Sequence, residues 1–266
     1  MPLSPEATAL CAALLDARRS GRPLPPDAAA LAAVPDDETA CALQQAQGVA
    51  LGAWAAEALP RFWKSGGPRR DGPLAHAPLL PAGVQPVADG DCADLRAQPF
   101  LQPMVEAEVA LRLGREVSPA LAATLGVAEA ESLIDALAVA VEVVDTRWAS
   151  LADAPPRLKL ADFQVHGALV LGPWQAWDGW RGHDWAAQRG QLRLGDAAPI
   201  NFQGTHTLGT PGWLLPIWLR HLTRHGHSVP AGTVVTTGSW SGCRPVARGS
   251  RVAVQFQGLG GFTLQV

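Results

Sequence analysis

The chain has 266 residues, 48% of them hydrophobic, with 21 basic and 24 acidic side chains interspersed to a formal net charge of −3; it is long enough to bury a sizeable core as one large domain or two modest ones, and its charge pattern excludes a nucleic-acid footprint and a polybasic membrane patch. Four scattered cysteines, Cys11, Cys41, Cys92 and Cys243, have neither CxxC nor Cys/His spacing, which argues against a thiolate zinc site and a disulfide framework and points to a reducing cytoplasm. The start MPLSPEATALCAALLDARRSG lacks an export signal and no stretch approaches the roughly 20 apolar residues of a spanning helix, so the expectation is a soluble cytoplasmic protein.

In chain order, Ser4-Pro5 predicts a capped helix with Leu10 and Leu14 on one face and Gly21 as its stop. A proline-rich link, RPLPPD, follows, and Asp36 to Trp54 shows a second helical pattern interrupted by Gly48 and Gly52. From Lys64 to Asp91 glycine and proline dominate, which predicts irregular chain; a long loop inside a compact protein is more often functional than accidental. After about Gln98 the pattern turns to short β-prone runs: Val105 to Leu113, Leu137 to Val144, Ala168 to Leu171, Gln191 to Leu194 and Thr233 to Thr237. Between the first two, Ser118-Pro119 to Gly126 predicts a short helix, and Thr210-Pro211 to Gly226 predicts another with Ile217, Trp218 and Leu222 buried. The closing RVAVQFQGLGGFTLQV alternates as a hairpin turning at Gly260-Gly261. The reading is α+β: a helical N-terminal region with an active-site loop over residues 1–80, then a mixed β-rich catalytic domain over 81–266.

Three acids stand out within this pattern. Glu106 and Glu108 lie two apart in an apolar strand and so share a face, and Glu142 sits in AVAVEVVDTRW, an equally apolar run. Buried and unpaired, such a set costs several kcal/mol or forces protonation. Carboxylates without histidine or cysteine favour Mg²⁺ or Mn²⁺ over zinc, whereas glutamates alternating outward onto solvated strand faces account for the spacing equally well. Gly66-Gly67 and Gly260-Gly261 lack the context of a nucleotide loop, there is no GxSxG elbow, and His183, His221, His225 and His227 form no HExxH-like array.

The strings PFLQPMVEAEVALRLGREV, EVVDTRW with LADFQVHGALVLG, HSVPAGTVVTTGSWSG and GSRVAVQFQGLG, in this order, resemble the fumarylacetoacetate hydrolase superfamily, and within it the 2-keto-4-pentenoate hydratase branch. The resemblance runs from roughly Trp63 to the end. It implies that Glu106, Glu108 and Glu142 hold a divalent metal, Mg²⁺ or Mn²⁺, and that Lys64 of FWKSGG is catalytic. It implies that Thr237, Gly238 and Ser239 line the substrate carboxylate at a glycine turn. Two departures stand out: DGPLAHAPLLPAG offers His76 where the branch brings an acid, which makes His76 a candidate acid or base, and LADFQVHG offers Asp162, Gln164 and His166 to shape the substrate pocket or cap a strand. Arg69 and Arg70 are available to grip a carboxylate.

The implied reaction proceeds through a metal-stabilised enolate of a 2-oxo acid. Hydration of a 2-hydroxy-dienoate, C–C hydrolysis of an acylpyruvate and decarboxylation all share that enolate. A silent metabolite-binding or activating subunit is the non-enzymatic alternative. The resemblance also implies a homodimer or larger homo-oligomer.

Overall fold

The computed structural model describes residues 2–88 and 91–266. Helix α1 (Pro5–Ser20) starts as its sequence predicts: the Ser4 hydroxyl accepts from the Ala7 N–H, Pro5 fills the first turn, and Gly21 ends it at φ +69°. Helix α2 (Ala28–Ala32), to which the sequence reading assigns no element, follows the RPLPPD link and is capped by its last residue, Asp27. Helix α3 (Asp37–Ala50) is capped by Asp36, whose carboxylate accepts from the N–H and hydroxyl of Thr39. It stops short of Trp54, whose indole folds back onto Gly48 where any side chain would collide with the ring.

The remaining elements are β1 (Phe62–Gly66), β2 (Ala75–Pro78), β3 (Val84–Pro86), β4 (Cys92–Asp94), β5 (Met104–Leu113), α4 (Pro119–Thr124), α5 (Val127–Glu131) and β6 (Ile134–Val144). They continue with α6 (Pro156–Ala161), β7 (His166–Leu171), β8 (Gln175–Ala176), β9 (Arg189–Leu194), β10 (Ile200–Gln203), α7 (Leu215–Thr223), β11 (Val234–Thr236), β12 (Arg244–Pro245), β13 (Arg251–Phe256) and β14 (Gly260–Gln265). A nine-stranded sheet runs β2-β1-β11-β5-β6-β7-β3, with β12 on β5 and β8 on β6; a five-stranded sheet runs β10-β9-β13-β14-β4. The α+β expectation, helices ahead of a mixed β-rich fold, matches this architecture. Among the described residues no helix is long and apolar enough to cross a membrane.

Two local expectations are corrected. The span from Lys64 to Asp91 is not irregular throughout: β1 reaches to Gly66, and β2 and β3 lie inside the span. Their order comes from partners far along the chain, β11 for β1 and β7 for β3, which no local periodicity reports. The final hairpin turns at residues 257–259 with Gly258 at φ +78°, and Gly260 and Gly261 already belong to β14. Gly261 is needed there because a side chain at this position would collide with the Val254 carbonyl and Gln255. The short α5, α6 and β10 carry too few residues to show a period.

The apolar side chains sort into two main bodies. Val105, Val109 and Leu111 of β5 and Val139, Val141 and Val143 of β6 project from one face of the large sheet into a core shared with Val252, Val254, Phe256 and Leu264 of the small sheet. A second cluster joins Leu10, Leu14, Val34 and Leu43 of the N-terminal helices to Trp148 and Leu158. Gln44 and Gln47 lock that cluster by donating to the Leu160 and Ala161 carbonyls at 2.6 and 2.8 Å. Trp148 is fully buried and its indole N–H donates to the Leu158 carbonyl at 3.1 Å. Trp148→Ala therefore removes both packing and a satisfied donor, and an equilibrium denaturant titration is expected to show a loss of about 3–5 kcal/mol.

Candidate metal centre

The opposite face of the β5–β6 pair carries the acids. In register, Glu106 stands across from Glu142 and Glu108 across from Ala140, and opposed residues of an antiparallel pair are about 5 Å apart. One oxygen of each carboxylate lies within 4.8 Å of the other two. Glu142 and Glu108 are buried, and Glu106 is half-buried. The small methyl of Ala140 leaves room over β6 for the Glu108 side chain.

Neighbouring strands supply the groups that make this crowding tolerable. Lys64 on β1 is in register with Thr236 of β11, which pairs with Ala110 of β5. From there its Nζ donates to Glu142 Oε1 at 2.6 Å and to the Gln164 carbonyl at 3.1 Å. That carbonyl is presented by Phe163, Gln164 and Val165, three consecutive non-glycine residues at φ +51°, +51° and +55°. Left-handed L-residues cost about 1 kcal/mol or more each, and Phe163 anchors the run through an edge-on contact with Trp54 at 6.3 Å and the Arg18 guanidinium over its ring. His166 Nδ1 lies 3.3 Å from Glu142 Oε1. Glu108 Oε2 accepts from the Thr236 hydroxyl and, at 3.0 Å, from the Gly238 N–H. Gly238 sits at φ +105°, a conformation closed to other residues, and this turns its N–H onto Glu108.

The electrostatics follow from this geometry. Burial, reinforced by Glu142 and Glu106, pushes the Glu108 carboxyl up to about 8. Burial and the charge of Glu142 raise Glu106 as well. Glu142 goes the other way: burial opposes its ionisation, but Lys64 and His166 overcome it and hold the carboxyl below its usual range. Burial likewise disfavours the Lys64 ammonium, and Glu142, with Glu106, overrides it, so Lys64 stays protonated well past its ordinary range.

A cavity of about 370 Å³ opens over these groups, lined by Lys64, Glu106, Glu108, Gln164, Thr236, Gly238 and Ser239, with Val144, Leu151, Lys159, Thr207 and Cys243 in its remaining wall. Of the residues singled out from sequence, the structure brings together Lys64, the three glutamates, Gly238, Ser239 and Gln164, with His166 behind Glu142. It does not bring the others. His76 faces Ser65 across the β1–β2 pair, hydrogen-bonded to its hydroxyl at 2.8 Å and packed 4.5 Å from the His221 ring. Strand alternation puts Ser65 and Lys64 on opposite faces, so His76 is turned away from the carboxylates, and burial pushes its pKa down to about 4.

Asp162 is fully buried and accepts from the Arg147 N–H at 2.9 Å and Nε at 2.7 Å, which makes it an anchor of the backbone after β6. Arg69 is exposed and pairs with Asp71 at 3.0 Å. Arg70 donates to the Leu208 carbonyl at 2.7 Å and lies over Trp213. Thr237 donates to the Val109 carbonyl at 2.7 Å, and it is Thr236 that reaches the site. Sequence reasoning missed Thr236 and Lys159. The register of β11 would have found the first, since Val235 lies in the main core and its neighbours face the acids; Lys159 sits on α6, too short to be predicted.

The donor set fits a divalent cation. It is all oxygen, it holds three carboxylates against one nearby ammonium, and Glu142 Oε2 is a buried acceptor with no partner among the described residues. What fold and site define is an all-carboxylate cation centre on a face of a large mixed sheet, beside a smaller second sheet. Residues 64–266 match the family model described as fumarylacetoacetate (FAA) hydrolase C-terminal, and the chain belongs to that family.

Among similar proteins, 2-keto-4-pentenoate hydratase 2 of Dechloromonas aromatica (strain RCB) is 30% identical over 97% of this chain and 95% of its own. The solved 4-oxalocrotonate decarboxylase from Pseudomonas putida G7, complexed with magnesium and adipate, superposes with a TM-score of 0.79 at 19% identity over 99% of this chain and 98% of that one. The fumarylpyruvate hydrolase from Pseudomonas aeruginosa, in complex with Mn2+ and pyruvate, gives a TM-score of 0.57 at 18% identity over 78% and 89%.

The raised Glu108 pKa sets a sign. Between its ordinary 4.5 and about 8 the folded state keeps a proton that the unfolded chain has released, so metal-free stability falls as pH rises through that window. Thermal melts in EDTA are expected to show this fall, which Glu108→Gln reduces, the raised Glu106 carboxyl accounting for the remainder. The stabilisation by added Mg²⁺ is expected to grow over the same range, because the cation competes with the proton.

Proposed function

We propose that the chain is a divalent-metal-dependent hydro-lyase that hydrates a 2-hydroxy-dienoate, the enol form of a 2-oxo acid, of the 2-keto-4-pentenoate class. The observation that carries this reading is the clustering of three carboxylates and a lysine, with Glu106, Glu108 and Lys64 in the wall of one cavity and Glu142 directly behind Lys64. The 30% identity to a hydratase over nearly the whole chain supports the choice of reaction. Glu106, Glu108 and Glu142 hold Mg²⁺ or Mn²⁺, which supplies Lewis-acid stabilisation of negative charge on the 2-oxo oxygen.

The chain's own residues divide the rest of the work. Lys64, whose Nζ donates to Glu142 and which lines the cavity, stabilises developing enolate charge as an ammonium and moves protons to and from the substrate. The Ser239 hydroxyl, in the cavity wall beside Glu106, is placed to donate to the substrate carboxylate. Lys159, which forms no ion pair among the described residues, adds a second cation to the wall. Val144, Leu151 and Val165 give the carbon tail an apolar path and limit the water around it. His76, turned to the far side of its sheet, takes no part. The same family reading carries a homodimer or larger homo-oligomer.

The test is to incubate metal-loaded protein with 2-hydroxypenta-2,4-dienoate, an acylpyruvate and a 4-oxalocrotonate-type diacid, following which is consumed and what forms. Hydration of the first is expected to dominate; selective C–C cleavage or CO₂ release would replace this reading with a hydrolase or a decarboxylase. Glu106→Gln is expected to abolish turnover with folding retained by circular dichroism, and Lys64→Met to lower kcat by about 100-fold or more. Unchanged turnover in Glu106→Gln would overturn the proposed ligand role.

A further inference from the structure

A second cavity, of about 460 Å³, shares no lining residue with the metal centre. It lies between α1, the chain after α3, the 80–83 segment and the chain before β5. Its body is apolar, formed by Leu80, Pro81, Pro99, Phe100 and Leu101, and its polar end holds Arg18, Arg147 and Asp145. The polar valences there are unevenly used. Asp145 Oδ1 accepts from the Leu101 and Gln102 N–H groups at 3.0 and 2.7 Å, and its Oδ2 faces Arg147 at 3.6 Å. Arg147 donates to Asp162 and to the His166 carbonyl. Arg18 reaches Asp162 only at 3.4 Å, and its Nε is buried with no hydrogen-bond partner among the described residues. Burial and the adjacent Arg147 lower the Arg18 pKa to about 10 against the opposing pull of Asp162 and Asp145.

An unpaired buried N–H donor on a cation takes an acceptor, and the strongest acceptor for a guanidinium edge is a carboxylate. We infer that this cavity is a second ligand site, binding a small monocarboxylic acid whose carboxylate meets Arg18 and whose compact hydrocarbon body fills the space against Leu80, Pro99 and Phe100. Acceptor-poor ligands are excluded by the orphan donor, and cations by the two guanidiniums.

The site is coupled to the metal centre through one polar chain. Arg18 and Arg147 share Asp162, Arg147 holds the His166 carbonyl, and His166 Nδ1 contacts Glu142. A carboxylate that draws Arg18 away from Asp162 leaves Arg147 more tightly held by that anion and shifts the backing of Glu142. Occupancy of the site itself stands apart from the proposed reaction; the coupling rests on Glu142 being a metal ligand.

The experiment is calorimetric titration of the full-length protein with benzoate, and with benzamide as its uncharged counterpart. Benzoate is expected to saturate one site in the wild type, in metal-free protein and in Glu106→Gln, with benzamide at least about tenfold weaker, the penalty for a lost charged hydrogen bond. Arg18→Met is expected to lose benzoate binding. Ala82→Trp, at an exposed position of the cavity wall, is expected to block it without touching the charged cluster, which covers the case in which Arg18→Met does not fold. Benzoate binding that needs the metal, that Ala82→Trp leaves intact, or that is absent altogether overturns the site. In saturating benzoate the Mn²⁺ affinity is expected to change severalfold in the wild type and not in Arg18→Met; an unchanged Mn²⁺ affinity overturns the coupling, while benzoate binding in Glu106→Gln separates that failure from a failure of the proposed metal site.

Discussion

The structure is organised around like-charge crowding. Three glutamates on one face of an antiparallel pair, with an oxygen of each within 4.8 Å of the others, repel across a medium that screens poorly. One ammonium cannot neutralise them, and burial together with their mutual repulsion raises the Glu108 and Glu106 pKa values despite Lys64. A folded chain keeps such an arrangement only where a further positive charge completes it.

Much of the surrounding architecture serves to aim these groups. Glu142 has Lys64 and His166 on one oxygen and no hydrogen-bond partner among the described residues on the other. Glu108 is oriented by the Thr236 hydroxyl and the Gly238 amide, and the loop bearing Gly238 is itself tied to β5 by the Trp240 N–H on the Ala107 carbonyl and the Ala107 N–H on the Ser241 hydroxyl. Lys64 is fixed through a carbonyl that only a strained left-handed run presents. That run leans on Trp54 and Arg18, so the N-terminal region buttresses the group that fixes Lys64.

The sequence made visible what is locally determined. The caps at Ser4 and Asp36 and the stop at Gly21 are decided within four residues, and they are where the helices begin and end. The glutamate pair was legible because strand alternation makes spacing two a statement about faces, and the resemblance across several motifs chose between a buried site and a solvated one. What stayed hidden was pairing. Whether His76 or Ala75 faces the acids depends on the register of β2 against β1, and whether Thr236 or Thr237 does depends on β11 against β5; one residue of slip reverses each answer. Arg69 and Asp162 looked like substrate contacts because their charge is visible in sequence, whereas their partners Asp71 and Arg147 are known only from the fold.

The provenance of the cavity wall has an evolutionary consequence. The glutamates and Lys64 stand on paired strands, where each residue is held by ladders on both sides. Leu151 and Thr207 come from connecting segments, and Lys159 from a six-residue helix, all free to change without disturbing those ladders. Selection acting on such a molecule can exchange the groups that greet the far end of a metabolite while leaving the reactive end intact, so descendants of one ancestor can diverge in diet long before they diverge in chemistry.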